Sequence, residues 1–321
     1  DYFGHQRNYI RTKNVIMKVY LDNAATTRLD PEVLEVMIPV LSEQYGNPSS
    51  IHSNGRAARS LIERARKSVA ALLNAAPAEI FFTSGGTEAD NTAIRSSIET
   101  FGLKHAITSR IEHHAVLHTL EHLNKTGVIE LSYVNLTPDG DVDLAHLEAL
   151  LKTHSRSLVS LMHGNNEVGN LLDLNAVGTL CEQYDAIFHT DTVQTMGHFR
   201  HDLQEIKANF IVGAAHKFHG PKGVGFLYVR PGTKVDPFVH GGAQERNMRG
   251  GTENVYGIVG LAKALEIAYR DMDEHRCHIE LLKSKMIEGL KERIPGVRFN
   301  GLSGELDKSL YTVLNVSLPP S

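Results

Sequence analysis

AIFHTDTVQTMGHFRHDLQEIKANFIVGAAHKFHGPKGVGFLYV, residues 186–229, holds three apolar, strand-like runs: Ala186–His189, Phe210–Ala214 and Val224–Val229. Asp191 and Gln194 follow the first, and His216 and Lys217 follow the second. In an open α/β sheet ligands sit beyond the carboxyl ends of the strands, so this carboxylate and this lysine can face one small molecule. A lysine amine forms a Schiff base with a carbonyl once its surroundings let it lose its proton. A fixed carboxylate keeps a heterocyclic nitrogen protonated, which makes the ring a better electron sink. The bland alternative is a pair of ordinary surface charges in loops.

Working outward, EIFFTSGGTEADN (residues 79–91) reads as a β-type run, Glu79–Thr83, a glycine turn at Gly85-Gly86, and a helix beginning near Thr87. Backbone N–H groups and the macrodipole at a helix start attract phosphate, and glycines let that backbone approach closely. Taken with Lys217 and Asp191, Gly86 and Thr87 are assigned to a cofactor phosphate; alone they fit a plain strand–turn–helix joint equally well. No Walker or dinucleotide fingerprint is present. The pattern then alternates: strand Ala106–Ser109, helix Ile111–Leu123, strand Val128–Val134, helix Asp143–Leu151, strand Leu158–Met162, helix Asn175–Tyr184. Such alternation predicts an α/β fold with a mostly parallel sheet between helices and right-handed crossovers. Upstream, Asp30-Pro31 reads as an N-cap and first helical residue, Pro39 is expected to kink or reset that helix, and Arg56–Leu73 has helical spacing. Downstream, a helix is expected to start at Thr252, Val255–Leu290 reads as mostly long helix, and Val297–Asn300 and Tyr311–Ser317 as strands.

HTDTVQTMG, AAHKFHGPKGVGFLYV and GGAQERNMRGGTENV closely resemble the cysteine desulfurases, fold-type I pyridoxal-phosphate (PLP) enzymes of the class V aminotransferase family, and the resemblance runs from about Val19 to the end of the chain. It implies a large PLP-binding domain over residues 17–262 and part of a smaller C-terminal α+β domain over 263–321. It implies that Lys217 holds the cofactor and shuttles the α-proton, and that Asp191 pairs with the pyridine nitrogen. Gln194 would meet the phenolate oxygen, Asn166 would hydrogen-bond the cofactor, and His216 would help hold the phosphate. His113 matches the histidine that stacks on the ring and acts as an acid/base group, although a helix-capping histidine would look the same. Asn23–Thr27 would lie near the mouth of the site. Thr252 would reach the phosphate of the opposite subunit, which implies a homodimer. Relatives often have Ser-Gly-His-Lys where this chain has Ala214-Ala215-His216-Lys217, so Ala214 lacks the hydroxyl that would bond the phosphate, and a water or Thr87 would take its place.

The activity implied is conversion of L-cysteine to L-alanine, with sulfur passed to an enzyme persulfide and then to an iron–sulfur scaffold or another acceptor. No cysteine here matches the mobile-loop cysteine of relatives, and their substrate-carboxylate arginine would lie further on, so a truncated chain is expected. Selenocysteine lyase or another class V enzyme, a PLP-binding subunit inactive in desulfuration, and a metal-binding protein are the competing readings.

Bulk properties bound the rest. The chain of 321 residues is 41% hydrophobic and 22% charged with formal net charge −4, which gives no reason to expect nucleic acid or an anionic membrane as partner. No apolar run approaches a membrane span. The two cysteines, Cys181 and Cys277, form no CxxC pair, suit a reducing cytoplasm and read as structural. Residues 1–16 read as a leader or upstream extension. His114, His118 and His122 share one helix face; a solvated face is the commoner use of that spacing, and zinc sites recruit further ligands from elsewhere, so no metal residue is assigned.

Overall fold

The computed structural model describes residues 19–154, 156–233 and 236–320, and the expected leader lies outside them. Seven strands form one sheet: β1 (Ile80–Thr83), β2 (His105–Thr108), β3 (Glu130–Tyr133), β4 (Leu158–Ser160), β5 (Ile187–Asp191), β6 (Phe210–Ala214) and β7 (Gly225–Val229). Their order is β1-β7-β6-β5-β4-β2-β3, parallel throughout except that β7 runs against both its neighbours. The mostly parallel sheet expected from the alternating pattern is therefore present. A separate antiparallel pair, β8 (Arg298–Phe299) and β9 (Val316–Ser317), lies near the C-terminus.

The helices are α1 (Pro31–Glu43), α2 (Ser53–Leu72), α3 (Gly86–Phe101), α4 (His114–Lys125), α5 (Leu144–Thr153), α6 (Leu174–Gln183), α7 (Val255–Arg270) and α8 (Met272–Arg293). Strand period explains how they cover both faces. Phe210, Val212, Leu227 and Val229 pack with Ala89 and Ala93 of α3. The alternate residues Ile211, Phe226 and Tyr228 join a larger core with Ile258, Leu261 and Leu265 of α7. Fully burying one such large side chain stabilises by roughly 1.5–3 kcal/mol.

Several expectations need correction. Helix α1 is not reset at Pro39 but runs on to Glu43; Glu35, whose carbonyl loses its partner, and Pro39 itself are exposed, so water can take up the omitted bond. The long C-terminal helix is two helices, broken at Asp271, where φ −105° and ψ 11° leave the helical region and Arg270 bridges Asp271 and Glu32. Helix α7 starts not at Thr252 but at Val255, because the Asn254 side chain accepts the Gly257 N–H at 3.1 Å. Tyr311–Asn315 is not strand: the neighbouring Leu310 N–H donates to Gly169 O at 2.7 Å, Tyr311 is buried, and only Val316–Ser317 pairs.

No helix among the described residues is long and apolar enough to cross a membrane.

Candidate active site

The strand ends converge on a cavity of about 490 Å³ lined by Asp22, Ala24, Gly86, Thr87, His113, Asn166, Asp191, Gln194, Ala214, His216 and Lys217, among others. Because β1 runs the same way as β4, β5 and β6, the segments after all four emerge on one side of the sheet. Eight of the nine residues singled out in the sequence therefore line one space.

At the β1–α3 turn, Gly85 has φ 153°, a conformation that side-chain-bearing residues rarely adopt. A Cβ on Gly86 would lie 2.9 Å from the Val193 side chain, so glycine is what lets α3 seat against the turn after β5. Gly85 caps α3 without any side-chain acceptor, which leaves first-turn N–H groups available to an anion. Arg249 grips Glu88 of that turn at 2.9 and 3.1 Å.

Strand β5 ends in Asp191, which is 5% exposed and accepts the Val193 N–H on Oδ1 at 2.8 Å. Burial, with the nearby Asp90 charge, pushes the Asp191 carboxyl up to about 7; the Val193 N–H, His113 and His189 act against that rise. Strand β6 runs into a 3-10 turn, Ala215–Lys217. The Lys217 amine donates to the carbonyls of Ala24 and Ala25, the latter at 3.0 Å. Burial lowers its pKa, while Asp191 and Asp22 pull the other way. His216 is held near 4 by burial and by Lys217 and Lys222, so it is neutral at pH 7.

The segment after Asp22 is strapped over this turn. The Thr27 N–H and hydroxyl both donate to His216 O at 2.9 Å, Gln194 Nε2 donates to Ala24 O at 2.9 Å, and His216 Nδ1 lies 3.2 Å from the Thr26 hydroxyl. Its place at the mouth agrees with the expectation for Asn23–Thr27.

His113 has the capping role that its position allowed, and it also faces the cavity. Its Nδ1 accepts the Ala115 N–H at 3.1 Å. That acceptor role puts the proton of the neutral ring on Nε2. Asn166 lies in the loop after β4 and donates to the Glu167 carboxylate at 2.8 Å. Thr252 does not reach this cavity within its own chain; it lines a smaller one of about 80 Å³ with Ser84, Glu245 and Arg249.

Three buried polar residues escaped the sequence reading. Asp90 of α3 lines the cavity at 1% exposure, and its Oδ1 lies 3.3 Å from His189 Nε2, misaligned for a hydrogen bond. Glu112 is pushed up to about 8 by burial, and its Oε2 has no partner. His189, held near 4 by burial, is on the Asp191 face of β5 and sits 2.8 Å from the Ser160 hydroxyl. A strict period of two along FHTD would have paired His189 with Asp191. Elsewhere, Cys181 is buried with its thiol pushed up to about 12, whereas Cys277 is exposed on α8 and does not pack as expected. His114 and His118 stack at 4.7 Å, and no metal-holding group of three His, Cys, Asp or Glu exists among the described residues.

The donor set fits pyridoxal phosphate. An amine with a depressed pKa, a buried carboxylate with its second oxygen uncommitted, and a helix start lacking a side-chain cap border one space. They complement an aldehyde, a ring nitrogen and a phosphate respectively.

Comparison with known proteins agrees with this chemistry. Residues 19–318 match the family model for aminotransferase class-V. The chain is 46% identical to the cysteine desulfurase IscS of Dictyoglomus turgidum over 287 residues, 88% of this chain and 72% of that one. Among solved structures it is similar to a NifS-like protein, with a TM-score of 0.89 and 42% identity over 94% of this chain and 82% of the other. It is also similar to SspA in complex with cysteine, with a TM-score of 0.82 and 31% identity over 94% and 83% of the two chains. Fold, cavity and matched length together make this chain a member of the class V aminotransferase family.

Proposed function

We propose that this protein is a pyridoxal-phosphate-dependent cysteine desulfurase, taking L-cysteine to L-alanine and passing the sulfur on as persulfide. The observation that carries this reading is that Lys217 and Asp191, from the ends of adjacent strands, line one cavity. The similarity to desulfurases and to a protein solved with cysteine bound supports the substrate. Pyridoxal phosphate, when bound, supplies the electron sink for charge developing at the substrate α-carbon.

The chain's own residues supply the rest. Lys217, with its ammonium disfavoured by burial, holds the carbonyl end of the cofactor and moves the proton at the α-carbon. Asp191 offers its uncommitted oxygen to the ring nitrogen; a cationic partner there lowers the raised carboxyl pKa and keeps it ionised. His113, held in place by capping α4 and with the proton of its neutral ring on Nε2, covers the ring and serves as acid or base. Gln194 and Asn166 hydrogen-bond the ring substituents, while Gly86, Thr87 and neutral His216 take the phosphate. Thr252, away from its own cavity, reaches the phosphate of a second copy in a homodimer. The sulfur acceptor is an iron–sulfur scaffold or another transfer protein, in a cytoplasm reducing enough for the unpaired cysteines Cys181 and Cys277. The smaller domain, expected from about residue 263, would begin after α7, because Leu265 and Ala268 of that helix still pack in the main core.

The test is absorbance and product analysis on the full-length protein. A visible cofactor band lost in Lys217→Ala, with alanine formed from L-cysteine by the wild type and an equal amount of sulfide freed from the persulfide when a dithiol reductant is added, is the expected result. A band that survives Lys217→Ala overturns the reading.

A further inference from the structure

Asn165 stands beside the cavity with none of the family roles attached to it, and its side chain is fully committed. It is 3% exposed. Its Oδ1 accepts two backbone N–H groups, from Glu167 and Val168, each at 2.9 Å. Its Nδ2 donates to Ile111 O at 2.8 Å. The backbone closes the same turn, with the Gly169 N–H donating to Asn165 O at 3.1 Å and the Asn165 N–H to Asn170 O at 3.0 Å.

The two segments that this side chain joins have no regular structure where they meet. One is the stretch between β2 and α4, ending in His113; the other is the loop after β4, carrying Asn166. Among the described residues no ladder pair joins them at Asn165 and Ile111, and β2 pairs with β4 only as far as Thr108 and Ser160. Beyond that point, the amide of Asn165 bridges two residues short of His113 on one side and one short of Asn166 on the other.

We propose that Asn165 is a positioning residue that fixes the separation of His113 and Asn166 across the cofactor cavity. The inference rests on the reading that those two residues face the cofactor. An amide is the side chain that serves, because the turn needs an acceptor for two N–H groups and Ile111 needs a donor. Aspartate keeps the first function and loses the second, placing an oxygen against the Ile111 carbonyl instead.

The experiment uses the PLP-loaded full-length enzyme. Asn165→Asp is compared with wild type by visible circular dichroism of the bound cofactor and by kcat and KM for L-cysteine. Asn165→Ser, whose hydroxyl still offers the turn an acceptor, replaces it if the aspartate variant does not fold. The control is Asn209→Ala. Asn209 also ties two segments, accepting from Phe188 N at 2.8 Å and donating to the Thr233 hydroxyl at 3.0 Å, but at the start of β6.

The expected result is at least a twofold loss of the cofactor dichroism and at least a tenfold fall in kcat with KM within about threefold, the control keeping both within twofold. An Asn165 variant that keeps both within twofold overturns the proposal. So does a control that loses as much, since the effect would then be general destabilisation. His113→Ala and Asn166→Ala are run alongside. If neither disturbs the band, the assignment of those two residues has failed, and the proposal falls with it for that separate reason.

Discussion

Buried carboxylates occur in two regions of the molecule and are treated in opposite ways. At the free edge of β1, Glu245 is 4% exposed and receives Arg66 through both guanidinium nitrogens at 2.7 and 2.8 Å, plus the Phe82 N–H at 2.8 Å. Arg66 also donates to Ile80 O at 2.8 Å, so the pair occupies the edge groups of β1 much as a further strand would. Asp90, which lines the cavity, and Glu112, next in sequence to the cavity residue His113, are as deeply buried, yet each keeps an oxygen with no partner. The first arrangement settles its charges within the chain. The second leaves polar capacity unmet beside the place where a cofactor binds, which is where perturbed groups gather in enzymes.

That contrast can be broken experimentally. The largest effect belongs to the settled pair: Arg66→Met leaves Glu245 buried without its partner and should cost about 3–5 kcal/mol in urea unfolding. Arg66→Met with Glu245→Leu should recover at least half of that. If the single variant costs nothing, the edge pair is not what holds the 244–247 turn, where Glu245, Arg246 and Asn247 all have positive φ.

Glu112→Gln should do the reverse. The carboxyl is raised from 4.5 to about 8, so the folded state keeps a proton that the unfolded state releases, and the wild type loses stability as pH rises through that window. Glutamine removes the dependence. The variant should match wild type near pH 4 and exceed it at pH 8 by about 3–5 kcal/mol, given ~1.4 kcal/mol per pKa unit. Parallel stability curves for the two proteins would refute the assignment of Glu112 as a proton-holding acid.

Two smaller changes probe the cavity side by volume and by donor. Gly86→Ala forces a methyl toward Val193 and should weaken cofactor binding by about 1–3 kcal/mol, measured as Kd for PLP. Ala214→Ser adds a hydroxyl where the chain has only a methyl lining the cavity. It should tighten PLP by about 0.5–1.5 kcal/mol, and unchanged affinity would mean that the phosphate lies elsewhere.

The sheet and most of the cavity were legible because both depend on local pattern. Phe210–Ala214 has the same bounds in sequence and structure, as an apolar run that starts after Asn209 and closes just before the His216-Lys217 pair. The Gly85-Gly86 turn was readable for the same reason: backbone demand shows in residue type. Arg66 and Glu245, 179 residues apart, carry no local signal of each other. Asp90 looked like one more polar residue on an amphipathic helix, and only the packing of α3 on β5 and β6 turned it inward. The break at Asp271 was hidden because its cause, the Arg270 contact with Glu32, comes from a helix at the other end of the chain.

The reversed strand β7 has a consequence for how the protein is made. Among the described residues it is the only strand paired with β1, so residues 80–83 wait for residues 225–229 before they can be docked. A nascent chain that has not yet released β7 from the ribosome carries the β1–α3 turn, proposed to take the phosphate, on an unpaired ribbon, although β2 and β3 can already zip together. Assembly of the catalytic end is thus a late, long-range event, and stalled synthesis before residue 225 leaves a sticky edge for chaperones to cover.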